Sequence, residues 1–95
     1  MSSDAMNFVK RAISDNVVTV FSKTTCPHST RAKSVLNSLS VKNMGVHELN
    51  ERSDMSDIQD ALQQLTGART TPRVFIQGKC IGGADDVCSY VYVVW

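Results

Sequence analysis

Val17-Val18-Thr19-Val20-Phe21, Ser22-Lys23-Thr24-Thr25 and Cys26-Pro27-His28-Ser29 follow one another without a break. The first five residues are apolar and mostly β-branched, which suits a buried strand. The next four form a polar connection. Pro27 fits the first position of a helix, where its missing N–H costs nothing and its φ is already helical. Cys26 then falls at the N-cap. There the unpaired amides of the first turn and the positive end of the helix dipole favour a thiolate over a thiol. A thiolate is the attacking group in disulfide exchange, so the pattern points to a redox or thiol-transfer site. Taken alone, it fits equally well a small buried Cys that precedes a Pro.

Upstream, Asp4 is placed to cap a first helix with Ala5, Phe8, Val9, Ala12 and Ile13 on one face, and Asp15-Asn16 turns into the strand. Downstream, Ala32, Val35, Leu36 and Leu39 make the inward stripe of the helix after Cys26. Gly45-Val46-His47-Glu48-Leu49 reads as a second strand, parallel to the first because a helix carries the crossover. Ser56-Asp57-Ile58-Gln59 is a capping box ahead of a helix with Ile58, Ala61, Leu62 and Leu65 on its apolar face, stopped by Gly67. Thr71-Pro72 enters a third strand, Val74-Phe75-Ile76. Gln77-Gly78-Lys79 turns the chain into a short antiparallel strand at Cys80-Ile81, Gly82-Gly83 breaks it, and Asp85-Asp86 cap a following helix. The order predicts an α/β fold: a central mixed four-stranded sheet flanked by helices on both faces.

The totals agree with one domain over residues 1–95, long enough to bury ~60–65 % of its extended surface without staples. A net charge of +1 gives no bulk case for nucleic acid or a membrane surface. Cys26, Cys80 and Cys88 are too few and too odd in number for a secreted disulfide framework, and point to a reducing compartment. With two His in the chain, their spacing matches no zinc pattern. Met1-Ser2-Ser3-Asp4 lacks the regions of a signal peptide and no apolar run is long enough to span a bilayer, so the expected location is cytoplasmic.

Four stretches in order carry a resemblance: Phe21-Ser22-Lys23-Thr24-Thr25-Cys26-Pro27, Ile58 through Thr70, Thr71-Pro72-Arg73-Val74-Phe75-Ile76, and Ile81-Gly82-Gly83-Ala84-Asp85-Asp86. Together they closely resemble the glutaredoxin family of the thioredoxin fold, over about residues 7–86. The resemblance implies a glutathione site beside a catalytic Cys26. Lys23, Gln59 and Arg69 would meet the glycyl carboxylate. Thr71, usually Val in relatives, would exchange backbone hydrogen bonds with the cysteinyl part, and its hydroxyl would lie near the thiol. Pro72 would be cis. Asp85 with Asp86 would receive the γ-glutamyl end, and Pro27, His28 and Gly83 complete the implied lining. The charges agree with this independently, since two cations at one end and carboxylates with helix amides at the other complement glutathione. Singly, the same residues read as surface cations, helix caps and a strand entrance.

Many glutaredoxins carry a second Cys where this chain has Ser29. A hydroxyl cannot resolve a mixed disulfide, so the expected chemistry is monothiol reduction of glutathionylated proteins, with glutathione as co-substrate. Ser29 is either an engineered replacement or native; Cys-Pro-His-Ser-Thr is similar to the glutaredoxin domain fused to some thioredoxin reductases. Two alternatives stand beside this reading. One is a dimer holding a [2Fe–2S] cluster through two active Cys and two glutathiones, against which Pro27 argues because such proteins usually have Gly there. The other is a non-catalytic glutathione-binding module of a larger reductase. His28 replaces the usual aromatic residue and reads as an exposed spectator, and His47 as structural. Residues 87–95, Val87 to Trp95, depart from the family's amphipathic helix, so the last helix is expected to be shortened or altered. The chain is expected to be a monomer, with association possible through this tail.

Overall fold

In the computed structural model, which describes residues 3–94, the chain runs α1 (Ser3–Asp15), β1 (Val18–Ser22), α2 (Pro27–Ser38), β2 (Met44–Glu48), a 3-10 turn (Leu49–Glu51), α3 (Met55–Thr66), β3 (Arg73–Ile76), β4 (Lys79–Gly82) and α4 (Ala84–Val94). The sheet order is β2-β1-β3-β4. β1 pairs parallel with β2 and antiparallel with β3, and β3 pairs antiparallel with β4. This is the thioredoxin-like arrangement expected from the sequence.

Strand alternation divides the core into two layers. Val18, Val20, Val74 and Ile76 face Leu36 of α2 and Val87 of α4. Phe21 and Phe75 face Ala5, Val9 and Ala12 of α1 and Ile58, Ala61 and Leu62 of α3. β1 lies between two strands and two helical layers, so all five of its residues are buried. That burial explains why it carries no charged residue and is mostly apolar and β-branched. Thr19, wholly buried on this strand, has its hydroxyl paired: it donates to the Ala12 carbonyl at 3.1 Å.

Local differences from the sequence reading have physical causes. α1 begins at Ser3, so Asp4 sits inside the first turn, where its charge still suits the helix dipole. Ser56 does not form a capping box. α3 starts two residues earlier with Asp54 at the N-cap, and the Asp54 carboxylate is held by Arg52 at 2.8 Å. Leu65 is 42 % exposed rather than on the inner face. β2 ends at Glu48, and Leu49 opens the 3-10 turn with its side chain fully buried. Gly67 ends α3 in the left-handed region as expected (φ 85°). Gln77 and Gly78 both have positive φ (52° and 83°), the two-residue hairpin geometry that matches strand twist. Residues 87–94, expected to be shortened or altered, continue α4 as a helix: Val87 is in the core, and Tyr90 and Val91 pack on it. Trp95, the end of that tail, lies outside the described residues.

Candidate active site

The parallel crossover leaves the end of β1 open, and the polar connection after it delivers Cys26 to the N-cap of α2 with Pro27 at the first turn. The Cys26 N–H donates to the Lys23 carbonyl at 3.1 Å, and the Thr30 N–H donates to the Cys26 carbonyl at 3.1 Å. A turn thus closes on the thiol from one side and a helix opens from the other. Asn50, beyond β2, pins the connection: it accepts from the Thr24 N–H at 3.0 Å and donates to the Thr24 hydroxyl at 2.7 Å.

The half-buried Cys26 thiol is lowered from 9.0 to about 7. The largest cause is the Ser29 hydroxyl, followed by the Ser29 amide; partial burial opposes them, and the Thr71 hydroxyl and His28 amide add to them. Hydrogen bonds to the ionised form stabilise it over the neutral one. The first-turn amides act here without closing a full cap hydrogen bond on the sulfur. Ser29 is wholly buried, and its oxygen accepts from the Lys23 N–H at a long 3.4 Å, which ties it to the loop as well as to the thiol. At pH 7 a thiol of this pKa is about half ionised, against a few per cent for an ordinary one.

Opposite Cys26 lies the segment before β3. The Thr71 carbonyl is 3.7 Å from Sγ, where it can accept from the thiol, and the Thr71–Pro72 bond is cis. Gln59, buried on α3, braces this segment by donating to the Arg69 carbonyl at 3.1 Å. Arg69 turns back onto α3, to the Asp60 carboxylate at 3.1 Å and the Ser56 carbonyl at 3.4 Å, with its Nε buried and unpaired. Lys23 is half-buried and in no ion pair among the described residues. Of the three residues expected at the glycyl end, Gln59 and Arg69 are thus engaged with their own fold and Lys23 is not ion-paired.

At the other end, Gly83 abuts the cis-Pro segment: a Cβ there would stand 3.8 Å from the Pro72 carbonyl and 3.3 Å from the Arg73 guanidinium. Asp86 accepts from the Gly83 N–H at 3.0 Å and so closes the start of α4. Asp85 points outward, and its carboxylate takes a hydrogen bond from Arg31 of α2. His28 is exposed. Cys80 is exposed on β4 and Cys88 half-buried on α4, both free thiols. The structure adds Ser29 as a donor, Asn50, Arg31 and Arg73 to the residues read from sequence. Only Ser29 carried a sequence signal, its i, i+3 spacing from Cys26; Arg31, Asn50 and Arg73 depend on contacts that the fold creates.

The Glutaredoxin family model matches residues 18–81. The chain is 52 % identical over 85 residues to a glutaredoxin of Ricinus communis, covering 90 % of this chain and 82 % of that one. Oxidised glutaredoxin 2 from Chlamydomonas reinhardtii superposes with a TM-score of 0.88 at 42 % identity, covering 96 % of this chain and 85 % of that one. A buckwheat glutaredoxin–glutathione complex superposes with a TM-score of 0.90 at 36 % identity, covering 98 % and 87 %.

Proposed function

The chain belongs to the glutaredoxin family of glutathione-dependent thiol oxidoreductases, and we propose that it reduces protein–glutathione mixed disulfides through Cys26 alone. One observation carries the reading: a thiol held near pKa 7 has a buried hydroxyl, not a second thiol, three residues on. The Cys26 thiolate attacks the glutathione sulfur, forming a Cys26–glutathione disulfide, and the protein leaves as a thiolate that takes a proton from water. The thiolate of a free glutathione then attacks the bound glutathione sulfur. Glutathione disulfide forms and the Cys26 thiolate is released. In sum, the mixed disulfide and one free glutathione give the protein thiol and glutathione disulfide. A low thiol pKa serves both steps, supplying the nucleophile in the first and the leaving group in the second.

Glutathione, which the buckwheat relative was solved with, would lie along Thr71-Pro72. Lys23 would meet its glycyl carboxylate, with Gln59 and Arg69 beneath, and the start of α4 at Gly83, Asp85 and Asp86 would meet its γ-glutamyl end. Pro27 and His28 would flank the sulfur. Three free thiols suit a reducing compartment, which we take to be the cytoplasm.

The test is NADPH oxidation coupled through glutathione reductase, with glutathione and a glutathionylated peptide as substrates. Turnover is expected in wild type and in Cys80→Ser/Cys88→Ser, and is expected to vanish in Cys26→Ala. Loss of turnover in the double variant would place a second thiol in the cycle. A folded wild type without turnover would overturn the reading.

A further inference from the structure

Ser22 ends β1 and Glu48 ends β2, and the two are paired in register. Strand alternation puts Ser22 on the face of Val18 and Val20, the one that meets α2. From α2 the Lys33 ammonium donates to Glu48 Oε2 at 2.7 Å. We propose that Glu48 is a positioning residue for Cys26: through Lys33 and Ser22 it seats the first turns of α2 against the end of β1, and so keeps the Ser29 hydroxyl on the sulfur. The inference rests on Cys26 as the reacting thiol and holds whichever disulfide that thiol attacks.

The Lys33–Glu48 pair differs from the other ion pairs among the described residues. Its side chains are each 20 % exposed, and every other pair is more open. Ser22 is wholly buried. Its Oγ and Glu48 Oε1 are buried oxygens, and neither closes a full hydrogen bond among the described residues. The carboxylate still feels the hydroxyl. Burial pushes the Glu48 carboxyl up, but the Lys33 ammonium and the Ser22 hydroxyl outweigh it and hold the carboxyl below its ordinary range. Glu48 is thus a charged group drawn between a helix and a strand end, where only those two neighbours offset its burial.

A closed circuit joins this group to the thiol. Lys33 lies four residues after Ser29, on the same face of α2. Ser29 Oγ accepts from the Lys23 N–H at 3.4 Å, and Lys23 directly follows Ser22. The Lys23 carbonyl in turn accepts from the Cys26 N–H at 3.1 Å. The circuit runs from Glu48 to Lys33, along α2 to Ser29, across to Lys23 and back through Ser22. Cys26 is attached to it at both Ser29 and Lys23. The 3.4 Å contact is too long to fix the helix against the connection by itself. The short, charge-assisted contact at Glu48 supplies the stronger tie.

The sign of one substitution separates positioning from charge. The influences on Cys26 are hydrogen bonds and burial, with no neighbouring charge among them. If the Glu48 charge reached the thiol directly, removing it would favour the thiolate and lower the thiol pKa. Loss of a positioning contact raises it instead. The experiment follows iodoacetamide alkylation of Cys26 against pH, in a Cys80→Ser/Cys88→Ser background and without glutathione. Glu48→Ala should raise the midpoint by about half a unit, a part of the effect of losing the Ser29 hydrogen bond altogether. In a Ser29→Ala background the same substitution should add less than about 0.2 unit, because two changes on one path are not additive. Ser22→Ala leaves every charge in place and should raise the midpoint by about 0.3 unit. It decides the matter alone if Glu48→Ala does not fold. A lowered or unmoved midpoint in folded Glu48→Ala, an equal rise in the Ser29→Ala background, or an unmoved midpoint in Ser22→Ala would overturn the proposal. Since no glutathione is present, failure of the deglutathionylation assay would leave these results standing, and the two readings fail separately.

Discussion

At the scale of single residues, Ser29 changes meaning between sequence and structure. In the sequence it is an absence, a hydroxyl where relatives often have a thiol. In the fold it is a wholly buried donor and the largest cause of the low Cys26 pKa. Ser29→Ala should raise that pKa by about one unit, since a hydrogen bond to a charged group is worth about 1.5 kcal/mol or more. The rate of iodoacetamide alkylation against pH reads the change directly, and an unmoved midpoint would assign the low pKa to the amides and the Thr71 hydroxyl. Thr71 carries a weaker version of the same effect. Its hydroxyl, which the resemblance implies near the thiol, also lowers the Cys26 pKa. His47 is the second informative residue. It stacks on Phe21 at 5.6 Å and meets the edge of Phe8 at 5.1 Å, and its buried Nε2 has no partner. Burial first, then the Arg52 charge, lowers its pKa below 6.5. The folded state therefore resists protonation that the unfolded state accepts. Stability is full above pH 6.5 and falls as pH drops towards the depressed folded value. The midpoint of thermal unfolding should drop between pH 7 and pH 5.5 more steeply in wild type than in His47→Phe. Equal slopes would place the pH dependence on other groups.

At the scale of elements, the start of α4 is where sequence reasoning was least complete. Asp85-Asp86 reads as a helix cap, and Asp86 is one: it reaches back to the Gly83 N–H. Asp86→Ala should cost about 1 kcal/mol by urea denaturation, within the range for lost caps. A loss below about 0.3 kcal/mol would mean that water replaces the carboxylate fully. The other elements were legible to different degrees. β1, the helix after Cys26, the Gly67 stop and the Gln77-Gly78 hairpin follow from local pattern: β-branched runs, Pro at a helix start, glycine at positive φ. The start of α3 did not follow, because Ser56 and Gln59 have the capping-box spacing but Gln59 is drawn inward to the Arg69 carbonyl. That contact spans ten residues, and no local pattern encodes it. The last helix was obscured by its composition. Val87, Tyr90 and Val91 are β-branched or aromatic, yet packing against Leu36 and the sheet overrides their modest helix propensity.

At the scale of the molecule, the site exists only because the sheet order brings distant segments together. β1 lies beside β3, so Thr71 meets Cys26 across 45 positions of chain, while Ser29 reaches the thiol only when α2 is formed. Every donor that lowers the Cys26 pKa is thus a product of the fold, and unfolding should return the thiol to its ordinary range. The sign follows from linkage. The folded pKa, about 7, lies below the unfolded one. Between the two values the unfolded state binds more protons, so raising the pH favours the native state. The stabilisation from this thiol is fully present above the unfolded pKa, near 9, and is lost as pH falls through 7. Cys26→Ser keeps the size of the side chain and removes the titration, while Cys80 and Cys88 remain in both proteins and cancel. Urea midpoints at pH 7, 8 and 9 should therefore separate, with wild type gaining on Cys26→Ser at each step. Parallel midpoints at all three pH values would show a thiol with the same pKa folded and unfolded, and the activation of Cys26 would then have to come from the bound substrate rather than from the protein.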